Sequence, residues 1–307
     1  MRIDRTYISE RLSSLGITYD VFKHYNEPHR FYHNLNHIID LLMKAESYGV
    51  LTDNIFLAIV FHDIVYDPRA NDNEQKSAEL FSSITSNNTV ETAILDTATH
   101  VYNNDVSEVL CKLDLSIITD PFHDFVKYEH GIFKEYQFVE YYSYLENRIN
   151  ILSKRGATED RLNHVVHRYP KIAVYPGSFN PFHVGHLDVL HKAEQVFDKV
   201  IISRGINPDK NAQFTAMPSS LRYHQVDNYT GLMTDYIEKF KYDVTVVRGL
   251  RDSKDLDYEM NQYSFLKDLK KDINVVSFFC DKNLSHVSSS AIRTLEKYDK
   301  ETNYKVS

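Results

Sequence analysis

The sequence predicts a multidomain chain. An all-α helical bundle over residues 1–152 precedes an α/β parallel sheet of Rossmann-like type over residues 170–307. Three observations predict it. In the first half, apolar side chains recur at three- and four-residue spacing, with little alternation of period two. In the second half, short β-branched runs alternate with helical stretches, the pattern of strands joined by crossover helices. Between them, Ser153-Lys-Arg-Gly-Ala-Thr-Glu-Asp-Arg161 is polar and glycine-containing and is closed by Tyr169-Pro170, so residues 153–169 read as a linker.

Bulk properties bound the function. Composition is that of a globular protein, with 42% hydrophobic and 25% charged residues. A formal charge of −8 argues against a general nucleic-acid binder, which needs a basic face. No apolar run reaches membrane-spanning length, and Met1-Arg-Ile-Asp-Arg5 lacks the apolar core of a signal peptide. Cys111 and Cys280 lie in different halves, so a disulfide framework is not expected. A cytoplasmic protein is the expectation.

Along the first half, Ile38, Leu41, Leu42 and Ala45 share one helical face, as do Ile55, Ala58, Ile59 and His62. Residues 73–84 and 90–101 read as further helices. Residues 122–152 read as one or two long ones, their aromatic side being core. Phe31-Tyr-His-Asn-Leu-Asn-His37 puts His33 and His37 four apart, on one helical face. His62-Asp63 follows an apolar helix, and Asp114 sits alone between Leu113 and Leu115. A carboxylate among apolar neighbours calls for a cation or donor. Imidazole and carboxylate together suit Zn, Mn, Fe or Mg. Asp67, Asn73, Glu74, His100 and Arg30 surround the set, each equally readable as a cap or surface residue.

The ordered set His37, His62-Asp63, Asp114 resembles the HD superfamily of metal-dependent phosphohydrolases, over residues 25–145. Tyr32-His-Asn-Leu-Asn-His37 is also similar to the opening seen in its cyclic-nucleotide phosphodiesterases. The resemblance implies that His37, His62, Asp63 and Asp114 ligate a divalent metal, with His33 a general acid.

Along the second half, strands are expected at 172–175, 200–203, 244–247 and 275–279, and a helix at 187–197. Candidate residues fall at the strand ends, where open α/β sheets bind ligands. Tyr175-Pro-Gly-Ser-Phe-Asn-Pro-Phe-His-Val-Gly-His186 joins a strand to a helix, and such turns hold phosphate through backbone N–H groups. Asn207-Pro-Asp-Lys210 follows the second strand, and Arg248-Gly-Leu-Arg251 the third. Ser288-Ser-Ser290 follows the fourth and should cap the last helix. Singly, each has a bland reading: arginines paired with Asp252, Asp255 or Glu259, a solvated Lys210, a mere cap. Together they converge donors suited to a polyphosphate leaving group.

This half resembles the nucleotidyltransferases of the His-x-Gly-His type, and among them bacterial phosphopantetheine adenylyltransferase. The resemblance rests on residues 175–181, Gly185-His186, Leu232-Met233, Arg248-Gly-Leu-Arg-Asp-Ser-Lys-Asp-Leu-Asp-Tyr-Glu-Met260 and Val287-Ser-Ser-Ser-Ala-Ile292. It implies transfer of AMP from ATP, with Mg²⁺, to 4′-phosphopantetheine. It implies His186 at the α-phosphate, Ser178 and Lys210 orienting the reacting phosphates, and Arg248 and Met233 on the acceptor side. Arg251, Glu259, Ser288, Ser289 and Ser290 would hold ATP. Gly177, Phe179, His183 and Gly249 would complete the binding surface. A homo-oligomer, trimer or hexamer, is implied as well. His183 is also similar to the nicotinamide-mononucleotide relative, in which both motif histidines are kept, so that acceptor stays open. The segment 215–230 is shorter than the family's insertion, and the aromatic preceding the serine cluster is replaced near Leu284. A further reading is a nucleotide-binding protein without turnover, its helical half structural.

Overall fold

The computed structural model describes residues 2–206 and 215–306. The chain forms two compact units: Met1–Tyr136 with Tyr144–His167, and Gln137–Ser143 with Arg168–Ser307.

The first unit is all helix. It holds α1 (Arg5–Ser14), α2 (Phe22–Tyr25), α3 (Leu35–Ser47), α4 (Asp53–Phe61), α5 (Asn73–Ile84), α6 (Asn88–Asp96), α7 (Asp105–Leu115), α8 (Phe122–Glu135), most of α9 (Tyr141–Lys154) and α10 (Glu159–Val166). The expected face of α3 is buried, from Ile38 through Ala45. In α4 every residue from Ile55 to Phe61 is buried, so it is the bundle's central helix. Side-chain oxygens of Asn34, Thr52, Asn87 and Asn104 cap α3, α4, α6 and α7.

Three expectations need correction here. His33 does not share a helix face with His37: the chain is extended at Asn34, which caps α3, so His33 precedes the helix. The helix expected at 90–101 stops at Asp96, whose carboxylate turns to the backbone N–H and side chain of Asn103. The stretch read as a linker, 153–169, carries α10, with acidic residues in its first turn. His164 meets the rings of Phe122 and Phe125, and Arg161 donates to the carbonyl of Asp120.

The second unit is built on a five-stranded parallel sheet in the order β3-β2-β1-β4-β5. Its strands are β1 (Ile172–Gly177), β2 (Lys199–Gly205), β3 (Val226–Tyr229), β4 (Val244–Leu250) and β5 (Asn274–Phe279). Four match the expectation. The additional β3, Val-Asp-Asn-Tyr, lies at the sheet edge, where polar residues are tolerated and the apolar signal fades. Helix α11 (Val184–Glu194) follows β1, three residues earlier than expected, because His183 caps it. Helices α12 (Met233–Ile237), α13 (Ser253–Leu269) and α14 (Ser289–Glu296) complete the unit.

Strand order reverses at β1, with β2 on one side and β4 on the other. Open α/β sheets bind ligands outside the carboxyl ends of strands at such a switch point. The segment 137–143 is stitched to this sheet. Buried Lys199 donates to the carbonyls of Gln137 and Val139, the latter at 2.9 Å. The hydroxyls of Tyr141 and Tyr142 reach the carbonyls of Arg168 and Lys241 at 2.7 and 3.0 Å.

Candidate functional site

At the switch point lies a cleft of about 350 Å³. Its floor and walls bring together Gly177, Phe179, His183, His186, Arg248, Gly249, Arg251, Glu259, Ser288 and Ser289. Met233 stands beside it, its sulfur 3.7 Å from an Arg248 Nη. Ser178 and Ser290 are exposed and do not line it. Lys210 lies outside the described residues.

The sequence folds this way for local reasons. At Gly177 an added Cβ would stand 2.8 Å from the Phe179 ring, so only glycine lets that ring fold back. Phe179 itself has φ +45°, in the left-handed region. At Gly249 a Cβ would meet Val189 of α11 at 2.9 Å, so glycine allows β4 and α11 to close on each other. Arg204, at the end of β2, donates to the carbonyls of Ser178 and Phe179 at 3.3 and 3.1 Å. Ser289 Oγ donates to the Pro181 carbonyl at 3.1 Å, and Arg293 to that of Asn180. The Asn180–Pro181 bond is cis.

The two motif histidines form a reciprocal cap. His183 Nδ1 accepts the His186 backbone N–H, and His186 Nδ1 accepts that of His183, both at 3.3 Å. A backbone N–H can only donate, so both rings carry their proton on Nε2. Burial, helped by Arg251, pushes His183 down to about 4. Burial, then His183, then Arg251 hold His186 well below its ordinary value. His186 is thus a neutral N–H donor aimed from a helix start.

Both arginines pair with α13. Arg248 Nε is 3.1 Å from Glu259 Oε2. Arg251 binds Asp255 in a fork, at 2.8 and 2.9 Å. The surface pairing weighed from sequence therefore exists, yet the same side chains line the cleft. Burial raises Glu259 despite Arg248. Ser288 does cap α14, accepting the Ala291 N–H at 3.2 Å. Sequence reasoning missed Arg204 and Cys280, which no local motif marks, and assigned no role to Tyr258, which lies within the Arg248–Met260 block and lines the cleft.

In the first unit, His37, His62 and Asp63 converge, with ligand atoms within 4.8 Å of one another. His37 Nε2 lies 3.3 Å from His62 Nε2, 3.5 Å from Asp63 Oδ2 and 3.4 Å from Asp114 Oδ1. His62 Nε2 lies 3.0 Å from Asp63 and 3.9 Å from Asp114. Atoms bound about 2.0–2.2 Å from one ion stand about 3–3.5 Å apart, so this set fits a divalent metal. His62 Nδ1 contacts the Ile59 carbonyl at 2.9 Å, which places its proton there and turns the Nε2 lone pair to the cluster.

His33 stands beside this set. Its Nδ1 is 2.6 Å from Glu135 Oε2. Glu135 Oε1 also accepts the N–H groups of Phe31, Tyr32 and His33, at 2.9, 2.7 and 2.9 Å, and Tyr66 donates to Oε2 at 2.7 Å. Burial disfavours the charged imidazole, but Glu135 outweighs it and His33 is raised. Glu135 is far from the motifs in sequence, so nothing signalled it. Arg30 is not a surface residue: it is buried and holds the carbonyls of His33, Asp63 and Ile64. Asp67 and Asn73 bond to each other across a turn.

Comparison with known proteins bears on the second unit. A family model described as cytidylyltransferase-like matches residues 174–295. The chain is 35% identical over 147 residues to a phosphopantetheine adenylyltransferase of Mycoplasma capricolum subsp. capricolum, spanning 42% of this chain and 99% of that protein. It is 33% identical over 140 residues to the same-named protein of Clostridium perfringens, spanning 43% and 85%. With Mycoplasma mycoides subsp. mycoides it shares 36% over 140 residues, spanning 42% and 99%.

Proposed function

The chain belongs, through its C-terminal unit, to the phosphopantetheine adenylyltransferase family, and on that premise we propose that this unit makes dephospho-CoA and pyrophosphate from ATP and 4′-phosphopantetheine. The observation that carries the reading is His186, a neutral Nε2–H donor in a cleft at the sheet's switch point. The acceptor phosphate oxygen attacks the α-phosphorus of ATP in line, and the bond to the β-phosphate bridging oxygen breaks. Charge gathers on the α-phosphoryl oxygens, where a fixed donor stabilises it more than in the ground state. His186 supplies that donor. Arg248 and Met233 hold the acceptor. Arg251, Glu259, Ser288 and Ser289 hold ATP, and Mg²⁺ accompanies its phosphates. The family resemblance assigns the orienting of the reacting phosphates to Lys210 and, at the rim of the cleft, Ser178, while Gly177, Phe179, His183 and Gly249 shape the surface. Catalysis is positioning and charge stabilisation, without a covalent intermediate.

Phosphopantetheine is preferred to nicotinamide mononucleotide as acceptor because the similar proteins are named phosphopantetheine adenylyltransferases. A product assay with ATP and each acceptor tests the reading, with His186→Ala as control. Turnover with nicotinamide mononucleotide alone, or an unimpaired His186→Ala, sinks it.

A second activity is carried by the donor spacing in the first unit. His37, His62, Asp63 and Asp114 would hold one divalent ion of Zn, Mn, Fe or Mg type. When bound, the ion supplies Lewis acidity for attack of water on a phosphoryl group. His33, held by Glu135, delivers a proton to the leaving oxygen. The unit is thus proposed as an HD-type phosphohydrolase, its substrate a phosphate ester or anhydride. Phosphohydrolase assays of the parent and of His33→Asn decide it, and equal rates for the two reject the role of His33.

A further inference from the structure

Four consecutive carbonyls of the loop after β1 are each tied to a side chain from elsewhere. Arg204 takes those of Ser178 and Phe179, Arg293 that of Asn180, and Ser289 that of Pro181. Arg204 contributes most. It stands in β2 opposite Gly177 in the sheet register, is 7% exposed, and also donates to the Thr215 carbonyl at 2.6 Å.

A guanidinium buried behind a loop has a geometric consequence. In a trans peptide, C=O and N–H point in opposite directions. The carbonyls of Ser178 and Phe179 both turn to Arg204. The N–H groups of Phe179 and Asn180, their partners across the same two peptides, therefore both turn away from it. Consecutive N–H groups facing one way, next to a residue of left-handed φ, form an anion-binding concavity, and Phe179 has φ +45°. Gly177 and Phe179 line the cleft, whereas Arg204 does not.

We infer that Arg204 is a positioning residue for adenylyl transfer: by holding these peptide planes it keeps the N–H of Phe179, which lines the cleft, turned to the phosphates there. It touches no substrate and acts through the backbone. A lysine has one donor centre and cannot span two carbonyls and Thr215 at once, whereas the planar fork of arginine can. The role rests on the adenylyltransferase reading given above.

The test uses the full-length protein, with Arg204→Met and Arg204→Lys beside the parent. Dephospho-CoA formation gives kcat and KM for ATP, and thermal melting gives the folded fraction. Loss of fixed transition-state donors lowers kcat by about 10²-fold while KM for ATP changes little. Arg204→Lys recovers part of that loss, and so does guanidinium ion added to Arg204→Met. A folded Arg204→Met with kcat within about twofold of the parent overturns the inference. If that variant does not fold, the Phe179 amide resonance of the parent decides: a shift on adding ATP supports the role, and no shift overturns it. A parent inactive with every acceptor sinks the family reading alone, and the same resonance still decides this one.

Discussion

His183 and His186 each accept the other's backbone N–H at 3.3 Å, and their rings stack at 3.5 Å between centroids. The pair fixes both tautomers without any carboxylate partner. His186→Ala should therefore lower kcat by about 10²–10³-fold, the size of one lost transition-state donor. Pyrophosphate release under saturating ATP measures it. A loss confined to KM would mean that His186 binds substrate and transition state alike.

The same pair makes stability depend on pH. Folded His183 sits at about 4 and His186 is also depressed, against about 6.5 in the unfolded chain. As pH falls below 6.5 the unfolded state binds protons that the folded state refuses. The stability is fully present above 6.5 and is lost as pH falls towards 4. His183→Asn keeps a capping side chain but not the titration. Its urea midpoint should fall less than the parent's between pH 7 and 4.5, and parallel curves would count against the assignment.

Arg248 and Arg251 leave β4 toward different partners, Glu259 and Asp255. Arg248→Ala should raise KM for phosphopantetheine about 10-fold or more with KM for ATP nearly constant, a charged hydrogen bond contributing about 1.5–3 kcal/mol. Arg251→Ala should do the reverse. Initial rates with each substrate varied in turn read both constants, and equal effects on both would merge the two subsites.

Metal content of purified protein should fall to background in His62→Ala and in Asp63→Ala, as measured by plasma mass spectrometry. Phosphohydrolase activity should vanish with it, while adenylyl transfer persists. Metal retained at the parent level in both variants would leave the donor cluster a purely structural feature.

Helix α13 has no buried residue. It exposes Met260, Phe265 and Leu269, and Phe279 is exposed on neighbouring β5. An apolar surface of this kind favours association, as the family resemblance implies. Phe265→Glu should lower the mass found by sedimentation equilibrium, and a parent already monomeric at high concentration would refute the oligomer.

Much of this was legible in the sequence, and the pattern of success is physical. Strands β1, β2, β4 and β5 announce themselves because short β-branched runs bounded by polar residues have few other uses. The cleft residues are legible because phosphate chemistry demands glycine turns and cations at strand ends. What stayed hidden acts over long sequence separations. Glu135 is 102 residues from His33, and Arg204 is 25 from the Phe179 carbonyl it holds. Neither carries a local signature, since a buried arginine or glutamate reads as an ordinary surface charge. The polar edge strand β3 and helix α10 were obscured for the same reason: each buries too little to imprint a period.

The ammonium group of Lys199 draws the true line of excision. Anyone isolating the nucleotidyltransferase portion would cut near residue 153 or 168, where the composition changes. Such a fragment would leave Lys199 without the carbonyls of Gln137 and Val139, and it would lose the hydroxyl anchors of Tyr141 and Tyr142. Burial already pushes the Lys199 amine down to about 7, and a buried amine stripped of its acceptors is a costly defect. A fragment that keeps these contacts begins before Gln137 and carries the first turn of α9 with it.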